Sequence, residues 1–139
     1  MIMIVLRKDA GDDYNIFIMS DGVEVGRISH DNLIPDSLYD NLETDKEIKM
    51  VEEIEKPSDF MHLNFITIYD DYRGTGLFYE AMRKFEVYST MSGFTSITLF
   101  TSPELLPIYK KLGYQEMFYL DSVKHYLLKK EVINHVRKE

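Results

Sequence analysis

The sequence contains no cysteine and no tryptophan, and only 4 prolines and 7 glycines in 139 residues. Without cysteine there is no disulfide framework, no thiolate ligand for zinc or iron–sulfur clusters and no cysteine nucleophile. A reducing compartment is compatible with such a chain. The scarcity of glycine and proline, beside 45% apolar and 13% aromatic residues, excludes fibrous and disordered classes and leaves ample material for a core. Long hydrophobic runs are also missing. Met1 to Leu6 is apolar, but Arg7-Lys8-Asp9 stops it, so it is too short for a signal segment and has no positive lead. No stretch approaches the ~18 apolar residues of a membrane span. The reading is one soluble, cytoplasmic domain over residues 1–139.

Basic charge is in deficit, with 16 Lys+Arg against 24 Asp+Glu and a net charge of −8. The deficit is concentrated: residues 1–60 carry 6 basic and 15 acidic side chains, residues 61–139 carry 10 and 9. Phosphate neutralisation needs the opposite sign, so neither nucleic acid nor membrane is an expected partner. An acidic half suits a cationic partner such as an amine, or simply keeps the surface soluble.

Strands are expected over Ile2 to Leu6, Tyr14 to Met19 and Val23 to Ser29, with Asp21-Gly22 as a tight hairpin turn. Residues 31–60 are less legible. Leu38-Tyr39 and Asn41-Leu42 suit a short helix after Pro35, whereas Ile48, Met50, Val51 and Ile54 fit either strand or helix. From Phe60 the pattern sharpens. Leu63, Phe65, Ile66 and Ile68 form a strand, Arg73-Gly74-Thr75-Gly76 a turn, and Leu77, Ala81, Phe85 and Tyr88 one face of a helix closed by Gly93. Ile97 and Leu99 mark another strand. Ser102-Pro103 reads as N-cap and first-turn proline of a second helix that runs to Leu112 and ends at Gly113. Strands near Met117 to Leu120 and His125 to Leu128 follow. A terminal strand such as Ile2 to Leu6 would leave an edge free to pair, from which a homodimer is an expected partner state.

A glycine turn between strand and helix aims backbone N–H groups at an anion, with the helix dipole in support. Arg73 to Phe78 has that chemistry. It is not a Walker loop, since no Gly-Lys-Ser/Thr follows, and Tyr79 occupies the place of the third glycine of a dinucleotide fingerprint.

Ile66 to Leu77, reading Ile-Thr-Ile-Tyr-Asp-Asp-Tyr-Arg-Gly-Thr-Gly-Leu, resembles the acetyl-coenzyme A signature of the GNAT N-acetyltransferase superfamily. Leu106 to Tyr114, about thirty residues on, is similar to that family's second signature. The resemblance covers roughly residues 60–130. It implies an α/β fold with a mixed, mostly antiparallel sheet flanked by helices, here with an atypical strand-rich N-terminal third. It implies acetyl-CoA as co-substrate and direct acetyl transfer to a primary amine of a small molecule or protein.

Residue by residue, the resemblance implies that backbone groups of Ile66, Thr67 and Ile68 hold the pantetheine arm and acyl carbonyl. Arg73, Gly74, Thr75, Gly76, Leu77 and Phe78 would wrap the pyrophosphate, and Ser102 would contact the cofactor arm or serve only as a helix cap. Phe78 departs from the family's small residue and either crowds the phosphates or points into the core beside Met82 and Phe85. Tyr109 matches the family's general acid, which protonates the departing thiolate, unless it merely anchors its helix. His62 stands where histone-acetylating relatives of similar pattern carry a glutamate, and reads either as the catalytic base or as a structural or exposed histidine. Strand alternation puts it on one face with Asn64, Ile66 and Ile68 if no bulge intervenes. Pro107 reads as a helix-interior kink, and Lys110-Lys111 as either phosphate contacts or a dipole-favouring last turn. Residues 8–30 read as strands where the family has two helices that wall the acceptor site. A catalytically silent CoA-binding or protein-interaction module is the alternative reading, and a nucleotide-binding module using the turn alone is a third.

Overall fold

The computed structural model describes residues 3–57 and 59–132. Seven strands form one sheet in the order β1-β2-β3-β4-β5-β7-β6. They are β1 (Ile4–Arg7), β2 (Asn15–Ser20), β3 (Val23–Asp31), β4 (Phe60–Ile68), β5 (Ser96–Thr101), β6 (Gln115–Leu120) and β7 (His125–Glu131). Among the described residues four α-helices flank it: α1 (Asp36–Asp40), α2 (Asp45–Glu55), α3 (Leu77–Met91) and α4 (Leu106–Lys111). Every pairing is antiparallel except β4 with β5, so the mixed, mostly antiparallel sheet read from the sequence is the observed one. Ile2, the expected first residue of the first strand, lies outside the described residues.

The N-terminal third is strand-rich as read. Asp21 and Gly22 both adopt positive φ (51° and 79°), the primed geometry whose twist suits a two-residue hairpin. Two helices do exist, but they follow the third strand instead of the first. The first of them, α1, stands after Pro35 as expected. The second settles the open reading of residues 44–55: Thr44 caps the Glu47 N–H at 3.2 Å and its hydroxyl donates to the Glu47 carboxylate at 3.0 Å. That reciprocal pair starts α2 and presents Ile48, Val51 and Ile54 to the sheet.

The two sheet faces carry separate cores. Beneath α3, Ile16, Ile18, Ile28, Met61, Leu63, Ile97 and Leu99 pack on Leu77, Ala81, Met82 and Phe85. On the far face, Phe60 and Leu120 pack with Ile34, Leu42 and Val51 from the α1–α2 layer. Gly26 on β3 is required by packing, because a Cβ there would lie 2.3 Å from the Thr67 carbonyl oxygen. Both Gly93 and Gly113 close their helices in the left-handed region, each with the paired bonds of a Schellman motif: Phe94 N–H to Ser89 and Gly93 N–H to Thr90, then Tyr114 N–H to Tyr109 and Gly113 N–H to Lys110.

Two local expectations are corrected. Ser102 does not cap α4: residues 103–105 form a turn, the Ser102 carbonyl accepts from Leu105 and Leu106, and the helix starts at Leu106. Pro107 therefore sits in the first turn, where its missing N–H has no helical acceptor to lose, and it kinks nothing. β4 also bulges. Ser29 pairs with Phe65 and His30 with Leu63, so Asn64 is an extra residue and the side-chain alternation inverts across it.

Candidate functional site

Pairing between the parallel strands β4 and β5 stops at Leu63 and Leu99, and beyond the bulge the two strands part. On its other side β4 stays zipped to β3, where Tyr69 N–H donates to Val25 at 2.8 Å. Since main-chain groups alternate along an antiparallel ladder, those of Thr67 turn to β3 while those of Ile66 and Ile68 face the gap. The Arg73 Nε takes one of them, donating to the Ile68 carbonyl at 2.8 Å. Arg73 also pairs with exposed Asp70 at 3.1 Å, which fixes the guanidinium between strand end and turn.

The turn itself is built by Gly74 and Gly76, with φ of 77° and 83°, conformations open to glycine at no steric cost. Thr75 braces it by donating to the Tyr72 carbonyl at 2.8 Å. Among the described residues, none of the N–H groups from Gly74 to Tyr79 meets an acceptor within the chain. They lie at the positive end of the 15-residue α3. Buried Leu77 anchors the helix start. Phe78 turns its ring toward the core and meets Tyr109 edge-on at 6.0 Å, leaving the glycine turn uncovered.

Tyr109 packs between Phe78 and Tyr114, with both centroids 6.0 Å away, and burial raises its phenol above the ordinary range. Its hydroxyl makes no hydrogen bond to a described residue, while its ring packs against the core and so anchors the helix. Ser102 stands at the end of β5 with its hydroxyl likewise unengaged. Lys110 is bound to Glu116 at 3.2 Å, whereas Lys111 is exposed.

The bulge corrects the shared-face expectation for His62. Ile66 and Ile68 belong to the core face under α3, but His62 projects to the opposite face. There its Nδ1 lies 2.9 Å from the Thr98 hydroxyl and its ring meets Phe100 at 5.4 Å. Burial holds the imidazole neutral down to about 4. His62 lines a groove of about 310 Å³ together with Leu38, Asn41, Asn64, Phe100 and, unforeseen from the sequence, His125. No local motif marks His125. It enters the groove only because β7 pairs beside β5 and the turn before it folds back toward α1. Another buried imidazole, His30, lies 2.8 Å from the Lys8 ammonium through Nε2 and is also lowered to about 4, chiefly by burial.

No family model matches the sequence, and no curated protein matches it. Solved structures do. An acetyltransferase of the GNAT family from Listeria monocytogenes is similar with a TM-score of 0.65 at 15% identity, over 85% of this chain and 64% of that one. The loading GNATL domain of CurA from Lyngbya majuscula is similar at 0.60 and 14% identity, over 85% and 76%. PaiA N-acetyltransferase from Thermoplasma acidophilum, solved in complex with coenzyme A, is similar at 0.58 and 11% identity, over 84% and 59%. Likeness across most of the chain, together with the single parallel strand pair that opens beside a glycine turn, gives this protein the fold of the GNAT N-acetyltransferases.

Proposed function

We propose that the protein is an acetyl-CoA-dependent N-acyltransferase that moves an acetyl group directly to a primary amine of a small molecule or protein. The observation that carries this reading is the gap between β4 and β5, which opens at one end on six unmatched N–H groups, with the Tyr109 ring packed on Phe78 of that same turn. One structural neighbour was solved with coenzyme A, which supports the cofactor side.

In this reading the Arg73–Phe78 turn receives the pyrophosphate through its N–H groups from Gly74 onward, and the gap-facing groups of Ile66 with the N–H of Ile68 receive the pantetheine arm. Thr67 helps through its place in the strand, and the unengaged Ser102 hydroxyl is a further polar contact. Transfer needs a neutral amine, and an alkylammonium of pKa ~10.4 costs about 4 to 5 kcal/mol to deprotonate at pH 7. It also needs a proton for the leaving thiolate. Tyr109, kept protonated by burial, supplies that proton as general acid.

A thermal titration tests the cofactor reading. Acetyl-CoA at a hundred times its Kd should add about 2.7 kcal/mol of stability, ATP and NAD little, and Gly76→Trp should abolish the response. A flat wild-type titration overturns the reading. One observation favours a silent, CoA-binding module instead: no carboxylate lines the groove beside His62. Cofactor binding without turnover on any amine would decide for it.

A further inference from the structure

We infer that the groove on the far face of the sheet takes a small primary amine with an apolar body, and that His125 Nε2 is the atom that receives its proton. This rests on the acyltransferase reading above and names its second substrate and its base.

The tautomer of His125 is legible from its partner. Its Nδ1 lies 2.7 Å from the Val123 carbonyl oxygen. A carbonyl oxygen only accepts, so Nδ1 carries hydrogen and the neutral ring presents its lone pair at Nε2. His125 is one of the residues that line the groove. The turn that aims it is held from several sides. Ser122 N–H donates to the Glu47 carboxylate at 3.1 Å, the Ser122 hydroxyl donates to the same carboxylate, and the Glu43 N–H donates back to that hydroxyl at 2.9 Å. Lys124, next to His125, is held at φ 58°, a left-handed conformation uncommon for a lysine. Restrained backbone of this kind clusters where side chains are positioned for chemistry.

His62 is the less suitable base. It is only 2% exposed, its Nδ1 is engaged by Thr98, and burial resists its protonation until about 4. Its service is to orient: it fixes the floor of the groove and presses against Phe100.

The lining sets the amine class. Pro35, Leu38, Phe100 and Val123 supply apolar wall, Asn41 and Asn64 neutral polarity, and no lining residue is an acid, a lysine or an arginine. The charged groups of the surrounding elements, Asp36 and Asp40 on α1 and the Asp121–Lys124 pair on the turn, stand outside the lining. A polyamine would leave its extra ammonium groups without counter-charge there, whereas an aryl or branched alkyl body would be covered. The volume of about 310 Å³ is at the low end for small-molecule sites.

In the step itself the amine nitrogen attacks the thioester carbonyl carbon. The C–N bond forms, the C–S bond breaks, and its electron pair leaves on sulfur. The amine's surplus proton passes to His125 Nε2, the Tyr109 proton passes to the thiolate, and water resets both side chains, giving an amide and a free thiol.

The test compares 2-phenylethylamine, spermidine and a lysine peptide as acceptors with wild type, His125→Gln and His62→Gln. Phenylethylamine should lead by at least tenfold in kcat/KM. His125→Gln should lower kcat roughly 100-fold and leave the acetyl-CoA thermal shift intact, while His62→Gln should lower kcat far less. Without acetyl-CoA, phenylethylamine should move the ¹⁵N resonance of His125 Nε2 and not that of His30. Wild-type turnover in His125→Gln, or an unmoved resonance, overturns the base; preference for spermidine or the peptide overturns the amine class. Loss of the acetyl-CoA thermal shift in wild type would instead remove the parent reading, and this inference with it.

Discussion

Tyr109 and Phe78 show how a single residue is read differently alone and in place. By type, Phe78 is an obstruction where a small residue is expected; in the fold its ring packs edge-on against Tyr109 and the turn stays open. This contact holds the phenol from one side while its hydroxyl is left unbonded, an arrangement suited to proton donation. Tyr109→Phe should therefore lower kcat by roughly 100-fold, the usual reach of a general acid, with the acetyl-CoA thermal shift unchanged; steady-state kinetics beside a thermal titration reads both. Tyr109 was legible because it falls inside a motif. His125 was not, because nothing adjacent in sequence reports that a turn held by Glu47 will carry it to the mouth of the groove.

At the level of elements, strand and helix identities from Phe60 onward were legible because apolar spacing and glycine punctuation agree there. The apolar spacing of Ile48 to Ile54 fits strand and helix alike, although Thr44-Asp45-Lys46-Glu47 carries a capping signature that breaks the tie. The bulge at Asn64 had no such signature: alternation is a regular rule, and one unpaired residue inverts it without altering composition. The same strand sets a steric prediction. Because β3 and β4 approach so closely at Gly26, Gly26→Ala must displace the Thr67 carbonyl oxygen 2.3 Å from the new carbon. It should cost about 3 kcal/mol, at the upper end for overpacking. Urea unfolding measures this, and Gly26→Ala should also weaken acetyl-CoA binding, since Thr67 lies between the two residues proposed to hold the cofactor arm.

For the whole molecule, the two buried imidazoles give stability an acid dependence. In the unfolded chain His30 and His62 take up protons near 6.5, but in the fold each resists until about 4. Between those values the unfolded state binds more protons, so stability is full above about 6.5 and falls as pH drops toward 4. His62 alone accounts for on the order of 3 kcal/mol over that window. Urea midpoints at pH 7, 5.5 and 4.5 should fall steadily, and His62→Gln should flatten the decline by about half.

The single parallel pairing has a further consequence. It joins an N-terminal meander of four strands to a C-terminal trio through only four residue pairs, Phe60 to Leu63 against Ser96 to Leu99. The sheet is thus continuous in hydrogen bonding but divided in construction, with a short seam at its middle and most of each half's ladder internal to that half. A molecule seated along the open end of the seam would touch both halves at once and act as a clasp between them. Any ligand that did so would tighten the union of the halves as well as its own grip.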